Sequence, residues 1–387
     1  IKLKTQTIAT PNGLVLDTTN TSYTFIGGHA SCADTGPTPG QRTILDATGG
    51  NDGTAFAING NSSSVTPVVI LRGVTIRGGS RETGIGANPE GGGLEIRGRI
   101  IVQLNDATRI ENNETGKGGG VYLRGDNASE EAILHILGAS AIDQNTADTN
   151  GGGIYCDQHG QVLHDNGLVS GNGAADDGAG AYLRDTCAYD AQVQAGSVTG
   201  IRSNFSVNSG GVGAGLYMAG SRPLVLRGAQ SAPFWIERNN SAGGTAGGLF
   251  MSNITGRTTA TLENVVFLDN SARVFGSAAF FAGGIDVVMR PRPGSAPCAF
   301  TGVGLGACSG VIGNIIWQSA FAPGGALELR SSAGIAPTMT IRDSALLDNR
   351  SLNLLTSFGA GRFDIEGSVL SGNALYATQF VEYPAAL

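Results

Sequence analysis

Lysine, aromatic side chains and long apolar runs are all scarce in this chain of 387 residues. Three lysines occur among 24 basic and 31 acidic side chains, and the net charge is −7. A mildly acidic chain with so few lysines is not expected to bind the phosphate backbone of a nucleic acid. The uncharged segment 293–327 is interrupted by Pro293, Pro297, Pro323 and many glycines, so no membrane-spanning helix of about 20 residues is predicted.

The sequence also lacks the short motifs of common catalytic sites. It contains no Gly-x-Ser-x-Gly elbow and no His-Glu-x-x-His helix, and its Gly-rich runs lack the context of a phosphate-binding loop. The five cysteines have neither zinc-site nor redox-motif spacing, and their odd number leaves at least one thiol unpaired. Cys298 and Cys308 flank a Gly-rich loop, and a local disulfide between them is plausible in an oxidising compartment.

Glycine, in contrast, is abundant: 62 residues, or about 16% of the chain, against a usual content of about 7%. The glycines follow no three-residue period, which excludes collagen. Because 41% of residues are hydrophobic and 14% charged, the chain can bury a core. A chain of this length usually divides into two or three domains, but no stretch has the composition of a linker, so a repeat architecture is favoured.

Two motifs alternate along the chain. A small-residue triplet followed by an apolar-x-apolar strand occurs nine times, with a mean period of about 33 residues. The triplets begin at Gly91, Gly118, Gly151, Gly178, Gly213, Ala246, Gly276, Pro323 and Gly359. An apolar-x-x-Asn element precedes most triplets and begins at Ile110, Ile142, Val169, Phe205, Ile236, Phe267 and Leu346.

A third element in many periods is a run of alternating apolar residues, such as Ile133–Leu137. Three short strands per period, separated by turn residues and without helical periodicity, predict an all-β fold. They fit the coil of a parallel β-helix, a solenoid in which each strand pairs with its equivalent one period later. Glycine triplets would let the chain turn with positive φ, and stacked Asn amides would hydrogen-bond from coil to coil.

The pairing of the glycine triplet with apolar-x-x-Asn resembles the repeat of chlamydial polymorphic outer membrane proteins and related autotransporter passengers. The segments 23–28, 43–46 and 71–79 also resemble the first coils of such proteins. The resemblance covers roughly residues 43–375. It implies a right-handed parallel β-helix of about ten or more coils, located outside the cell or on the bacterial cell surface.

The same resemblance suggests an organisation of the chain. We expect residues 1–42 to form an N-terminal cap with the first strands. Residues 43–375 would form the β-helix, with a Cys-flanked loop insertion near 290–310, and residues 376–387 a C-terminal tail. No translocator-like pattern follows residue 375, so the secretion route stays open. The open strand edges at the ends of such a helix make end-to-end self-association possible.

Alternation assigns the two faces of the strand after each triplet. In the first seven copies the two apolar residues are expected inside the coil, whereas Leu327/Leu329 and Phe363/Ile365 are expected inside in the last two. The residue between the two apolar residues is aromatic in six consecutive copies and is expected to point outward. These aromatic residues are Tyr122, Tyr155, Tyr182, Tyr217, Phe250 and Phe280.

The aromatic strip has two interpretations. It could stack on the sugar rings of a polysaccharide or another cell-surface ligand. It could instead be a stabilising ladder, covered by a loop, in which each aromatic pair contributes about 0.5–1.5 kcal/mol. The next outward position holds Arg124, Asp157 and Arg184, so the stacked register predicts Asp157 between two arginines. This arrangement is either a charge ladder that contributes little stability or, through the arginines, part of the ligand surface.

A dense acidic segment runs from Asp143 to Asp190 and contains eight aspartates, with three of the four histidines in or next to it. Stacked coils could bring Asp157, His159 and the pair Asp176/Asp177 to one surface. Paired aspartates with His159-Gly160 are superficially similar to the sites of pectin-degrading β-helix hydrolases. The order of these elements is reversed, however, and the Arg-x-Lys element expected downstream is missing.

Two other interpretations of the acidic segment stay open. Carboxylates and turn carbonyls could hold Ca²⁺, the one cofactor that the sequence suggests, although no Asp-x-Asp-x-Asp-Gly loop occurs. Solvated aspartates could also simply stabilise turns. The sequence as a whole favours a secreted or cell-surface protein with a non-enzymatic binding, adhesive or structural function. The alternative is a polysaccharide-active hydrolase or lyase of the pectate-lyase-like β-helix type.

Overall fold

The computed structural model describes residues 1–31, 33–35, 37–38, 40–49, 53–61, 65–80, 90–194, 199–207, 211–295, 308–316, 324–351, 353–375 and 382–383. In these ranges all regular structure is β-strand. No helix that could cross a membrane occurs among these residues. The chain divides into two compact units. Unit 1 comprises Ile1–Ala175 and Ala179–Cys187, and unit 2 comprises Asp176–Gly178 and Ala188–Leu387.

The strands of unit 1 are short, and most of them have three to five residues. In chain order they are β1 (Lys2–Lys4), β2 (Thr7–Ala9), β3 (Leu14–Thr18), β4 (Tyr23–His29), β5 (Thr43–Asp46), β6 (Phe56–Gly60), β7 (Val68–Arg72), β8 (Val74–Arg77), β9 (Leu94–Gly98), β10 (Ile100–Asn105), β11 (Arg109–Glu111), β12 (Glu114–Lys117), β13 (Val121–Arg124), β14 (Ala132–Ile136), β15 (Ala141–Asp143), β16 (Thr146–Asn150), β17 (Ile154–Cys156), β18 (Gly160–His164), β19 (Leu168–Ser170), β20 (Gly173–Ala174) and β21 (Ala181–Asp185).

Unit 2 has a similar series with two long strands. In chain order its strands are β22 (Ala188–Gln192), β23 (Thr199–Arg202), β24 (Phe205–Ser206), β25 (Leu216–Gly220), β26 (Leu224–Arg227), β27 (Phe234–Glu237), β28 (Asn240–Ser241), β29 (Leu249–Glu263), β30 (Val265–Leu268), β31 (Ser271–Ala272), β32 (Ala279–Arg290), β33 (Gly310–Ile312), β34 (Ile315–Ile316), β35 (Gly325–Arg330), β36 (Thr338–Arg342), β37 (Ala345–Leu347), β38 (Arg350–Ser351), β39 (Asn353–Phe358), β40 (Arg362–Glu366), β41 (Val369–Ser371), β42 (Ala374–Leu375) and β43 (Glu382–Tyr383).

In each unit the strands pair in parallel into four ladders, which we name A to D in the order in which the chain visits them. In unit 1, ladder A is β3–β6–β9–β13–β17–β21 and ladder B is β1–β4–β7–β10–β14–β18. Ladder C is β2–β5–β8–β11–β15–β19, and ladder D is β12–β16–β20. This order of parallel pairing is that of a β-solenoid.

Unit 2 repeats the plan. Ladder A is β25–β29–β32–β35–β39–β43, and ladder B is β22–β26–β29–β32–β36–β40. The long strands β29 and β32 belong to both ladders. Ladder C is β23–β27–β30–β33–β37–β41, and ladder D is β24–β28–β31–β34–β38–β42. The short strands of ladder D were not expected from the sequence, which predicted three strands per period.

The core of each unit lies inside the coils. The residues expected to point inward from the first seven triplet strands are all buried, with relative exposures of 0–1%. They are Leu94, Ile96, Val121, Leu123, Ile154, Cys156, Ala181, Leu183, Leu216, Met218, Leu249, Met251, Ala279 and Phe281. Every second side chain of these strands is thus buried in the interior of the coil. This burial of apolar surface explains why the strands have an alternating apolar sequence.

The glycine triplets are required by close contacts on three sides, as the triplet Gly118–Gly120 illustrates. The first glycine has a φ of +65°, and a Cβ on it would lie 3.1 Å from the Cβ of Tyr155 on the next coil. A Cβ on the second would lie 2.2 Å from the carbonyl oxygen of Thr146, and one on the third 2.8 Å from the side-chain nitrogen of Asn145. The three glycines thus pack, in turn, against an aromatic residue of the strip, a strand of ladder D and an Asn of the Asn ladder.

The predicted Asn ladder is confirmed in both units. In unit 1 the Nδ2 of Asn113 donates to the Oδ1 of Asn145 at 2.9 Å, and Asn145 donates to Asn172 at 3.0 Å. In unit 2 the same bond links five successive pairs at 2.8–3.0 Å. The members there are Asn204, Asn239, Asn270, Asn314, Asn349 and Asn373.

Two predicted motif positions differ from the structure. The element assigned to Phe205 and Asn208 is wrong, because the ladder uses Asn204, three residues after Ile201, and Phe205 points outward with 41% exposure. Asn208 lies outside the described residues. The triplet assigned to Pro323 begins instead at Gly324, since Leu327 pairs with Ala279 and Leu329 with Phe281. This one-residue shift explains why the inward residues of that copy had the opposite parity.

The ninth predicted triplet, at Gly359, does not precede a strand of ladder A. It connects β39 to β40, and β40 belongs to ladder B, where Phe363 pairs with Met339 and Ile365 with Ile341. Ile365 is 40% exposed rather than inside. The Gly-Ala-Gly pattern predicted a corner correctly but could not distinguish a corner before ladder A from one before ladder B.

Candidate functional site

The aromatic strip forms a stack in unit 1. The rings of Tyr122 and Tyr155 have centroids 5.7 Å apart with an interplanar angle of 6°, and Tyr155 and Tyr182 follow at 5.0 Å and 10°. The guanidinium of Arg97 lies 4.9 Å from the Tyr122 centroid, and the ammonium of Lys117 lies 5.6 Å from that of Tyr155. Such cations are attracted to the negative faces of the rings.

Unit 2 contains a second stack. Tyr217 and Phe250 lie 4.9 Å apart at 13°, and Phe250 and Phe280 lie 5.3 Å apart at 20°. Arg330 covers the far end of this stack, with its guanidinium carbon 5.3 Å from the Phe280 centroid. The parallel register that pairs each strand with its equivalent places these rings face to face, as the sequence predicts.

Burial separates the six rings into two classes. Tyr122, Tyr155 and Phe280 are buried, with exposures of 0, 2 and 3%, although they point out of the coil. Tyr182, Tyr217 and Phe250 are half-buried. Burial also raises the pKa of the Tyr122 and Tyr155 hydroxyls. Only the half-buried rings retain surface that a sugar could contact directly.

Asp157 lies between Arg124 and Arg184, as the stacked register predicts. Its carboxylate oxygens are 3.4 Å from Arg124 Nη1 and 3.6 Å from Arg184 Nη1, and the Tyr122 hydroxyl donates to it at 3.2 Å. A carboxylate with three partners of this kind is held in place and has its charge compensated. This geometry is that of a charge ladder tied to the aromatic stack.

His159 occupies a turn next to Asp157, with a φ of +47°. Its backbone N–H donates to the Oγ1 of Thr186 at 2.8 Å, and the same hydroxyl lies 3.1 Å from the His159 Nδ1. The hydroxyl accepts from the backbone and can donate its own proton to the ring nitrogen. The side chain of Thr186 therefore orients the imidazole and stabilises the turn.

Asp176 and Asp177 belong to unit 2, whereas Asp157 and His159 belong to unit 1. The carbonyl of Asp176 accepts a hydrogen bond from Ser206 Oγ. The Oδ1 of Asp177 accepts one from the backbone N–H of Val212 at 2.8 Å. Burial raises the pKa of Asp177 to about 6, because the negative form loses its hydration, and the neighbouring carboxylate of Asp176 adds to this effect.

Other members of the acidic segment are paired with basic side chains elsewhere in unit 1. Arg109 Nη2 contacts Asp143 at 2.9 Å, and the Nε2 of His135 lies 2.8 Å from Asp165. Among the described residues, no group of three His, Cys, Asp or Glu side chains is arranged to hold a metal ion. The third histidine of the segment, His164, points into the coil and is fully buried.

A disulfide between Cys156 and Cys187 was not predicted. Both cysteines are buried inside unit 1, and they are separated by 31 residues, close to the repeat period. That spacing was the available signal, since residues one period apart become neighbours in a solenoid. Cys308 is also disulfide-bonded, whereas its predicted partner Cys298 lies outside the described residues.

Comparisons with known proteins identify no relative. No protein-family model, no curated protein and no solved structure matches the chain.

Proposed function

We propose that the protein is a non-enzymatic solenoid of the bacterial cell surface or extracellular space that acts as a structural or adhesive stalk. We further propose that the solenoid is right-handed, has ten or more coils and is related to polymorphic outer membrane and autotransporter passenger repeats. The observation that carries the proposal is that outward side chains of the aromatic strip and the neighbouring charge ladder bind one another. Arg97 covers Tyr122, and Asp157 is held by Arg124 and Arg184.

This use of outward positions favours a stalk over an enzyme. A catalytic carboxylate must be able to exchange a proton with, or attack, a bound sugar. The Asp157 carboxylate is instead surrounded by two arginines and a tyrosine hydroxyl. The half-buried rings are the best candidates for contact with a polysaccharide, because sugar rings stack on accessible aromatic faces. In unit 2 these rings are Tyr217 and Phe250.

A glycan-binding screen tests the ligand part of this proposal. We expect the parent protein to bind at least one surface polysaccharide, and Tyr217→Ala/Phe250→Ala to lower that affinity about tenfold or more. The control Tyr122→Phe keeps a buried ring and removes only a hydroxyl, so its binding should equal that of the parent. Thermal unfolding of each variant verifies that it is folded. Equal binding by the parent and the double variant, or no binding by the parent, would contradict the proposal.

The non-enzymatic part is tested by incubating the protein with pectin and other acidic polysaccharides and measuring the release of reducing ends and unsaturated products. We expect no release above the background of buffer alone. Release that disappears in Asp157→Asn or Asp177→Asn would overturn the proposal in favour of a hydrolase or lyase.

A further inference from the structure

The same four-residue pattern occurs once beside each aromatic stack. Leu94-Glu95-Ile96-Arg97 forms most of β9, and Leu327-Glu328-Leu329-Arg330 forms the end of β35. Glu95 pairs in register with Tyr122, and Glu328 pairs with Phe280. Each glutamate therefore continues an aromatic column, and the arginine two residues later lies over the adjacent ring.

The two glutamates differ in their partners. In unit 1 the Oε2 of Glu95 accepts from Thr54 Oγ1 at 3.1 Å, and its Oε1 accepts from Arg97 Nε. Glu90 binds the same arginine at 2.7 Å. The carboxylate of Glu95 is therefore fully hydrogen-bonded at its buried position, so its negative charge is compensated.

Glu328 in unit 2 has no such arrangement. It is 0% exposed, and its Oε2 has no hydrogen-bond partner among the described residues. Within the described part of the chain, its one ionic contact joins Oε1 to Arg330 Nη2 at 3.5 Å, which is the outer limit for a hydrogen bond. The guanidinium of Arg330 instead lies beside the rings of Phe275, Phe280 and Phe358, at 5.0, 5.3 and 5.1 Å from their centroids, and its side chain remains 42% exposed.

Among the described residues, β35 packs against β32, β34, β38 and β39, whose charged side chains are Asp286 and Arg290 on β32 and Arg350 on β38. None of these three is among the groups that act on Glu328. Its register neighbours are Phe280 on β32 and Thr356 on β39, and Arg330 is the charged group that acts on it. An ionised carboxylate without hydrogen-bond partners is costly to bury, whereas a neutral carboxylic acid is far less so. Burial accordingly raises the pKa of Glu328 well above its ordinary value, with Arg330 opposing the shift only in part.

We propose that Glu328 is a pH-responsive latch in unit 2: in its neutral form it closes the aromatic column between β32 and β39, and loss of its proton opens this region to water. Glu95 is not expected to act in this way, because hydrogen bonds and Arg97 already compensate the negative charge of its carboxylate. In the open state the carboxylate is hydrated and Arg330 leaves the three phenylalanine rings.

Hydrogen exchange of β35 and β39 between pH 5 and pH 9 tests the latch. After correction for intrinsic exchange rates, the opening equilibrium in the parent should rise with pH, by up to about tenfold per unit between the ordinary and the raised pKa of Glu328. In Glu328→Gln, which keeps the shape but cannot ionise, this rise should be absent. The matched variant Glu95→Gln should keep the parent's pH dependence in β35 and β39.

A second variant keeps the test decisive if Glu328→Gln fails to fold. Glu328→Leu replaces the unsatisfied carboxyl by an apolar side chain of similar size, and should also abolish the pH dependence while it keeps unit 2 folded. Infrared spectra at pH 7 provide an independent measurement, because a protonated carboxyl band in the parent should be lost in both Glu328 variants. Parallel pH profiles for the parent and Glu328→Gln, or an unchanged infrared band, would overturn the proposal.

Discussion

At the scale of single residues, the first glycine of a triplet meets two independent requirements. Its φ lies in the left-handed region, and a Cβ on it would lie too close to the Cβ of an aromatic residue, for example 3.0 Å at Gly91 and 3.1 Å at Gly118. Ala246 occupies this position in one coil at a φ of +58°, with its side chain packed against Phe280. The left-handed conformation is thus tolerated by a methyl group when the neighbouring coil leaves room for it.

Substitutions of two glycines in unit 1 can distinguish the effect of positive φ from the effect of crowding. Gly118 has a φ of +65° and would place a Cβ 2.6 Å from the Val121 carbonyl oxygen, whereas Gly171 has a φ of +63° and no atom closer than 3.8 Å. We expect Gly171→Ala to lower the free energy of unfolding by about 1–2 kcal/mol through φ alone. Gly118→Ala should lower it by about 3 kcal/mol or more, because crowding adds to strain. Equal losses in urea denaturation would show that crowding does not contribute.

At the scale of the structural element, the corner that contains the ladder Asn has a backbone feature that sequence reasoning missed. The residue before each ladder Asn has a φ between 51° and 67°. These residues are Asn112, Gln144 and Gly171 in unit 1, and Ser203, Arg238, Asp269, Gly313, Asp348 and Gly372 in unit 2. Six of the nine are Gly, Asn or Asp, the residue types that adopt positive φ most readily, so the sequence carries a signal for this corner that Gln144, Ser203 and Arg238 interrupt.

A central Asn of unit 2 should be far more important than a peripheral one. Asn239 Nδ2 donates to Asn270 and to the carbonyl of Ile201, and its Oδ1 accepts from both nitrogens of Asn204. Asn239→Ala leaves these buried groups unpaired, so we expect a loss of about 3 kcal/mol or more in the free energy of unfolding. Asn373→Ala should cost about 1 kcal/mol, since its site is half-buried and water can replace the amide. Urea denaturation checks both values, and a similar small loss for both would contradict the ladder's role.

The repeat could be predicted because each of its motifs is local in sequence. Alternation predicts which face of a strand a side chain occupies, and the Asn spacing predicts the coil-to-coil amide bonds. What covers an outward side chain is not local, so the sequence offered a covered ladder as one interpretation but could not predict which rings, such as that of Tyr122, are buried. The same reason applies to Glu328, because its surroundings are formed by β32, β35 and β39 together and cannot be inferred from the sequence of β35 alone.

At the scale of the whole molecule, the net charge of −7 conceals extensive pairing. In unit 2, Glu263 contacts Arg227 at 3.0 Å and Arg290 at 2.7 Å, which repeats the arrangement of Asp157 in unit 1. In the acidic segment, Asp143 and Asp157 are likewise paired with arginines, so neighbouring side chains compensate part of its negative charge. Buried groups that lack a compensating charge, rather than surface ion pairs, should then dominate the dependence of stability on pH.

The loss of folding stability at acidic pH should arise largely from His164. This side chain is fully buried inside unit 1, where its Nε2 donates to the carbonyl of Gly167 at 3.0 Å. Burial disfavours the imidazolium and lowers the pKa of His164 to about 4, from an ordinary value of 6.5. Between these values the unfolded chain binds the proton more readily, so stability falls as the pH falls from 6.5 to 4, by about 3 kcal/mol in all.

The variant His164→Gln tests this assignment, because it keeps a donor for Gly167 and cannot be protonated. Its absolute stability can differ from that of the parent without affecting the test, which depends on slopes. The unfolding temperatures of parent and variant, measured from pH 7 to pH 4, should converge or cross as the parent loses stability and the variant loses less. A constant difference across this range would show that the imidazole of His164 does not govern the acid sensitivity of the fold.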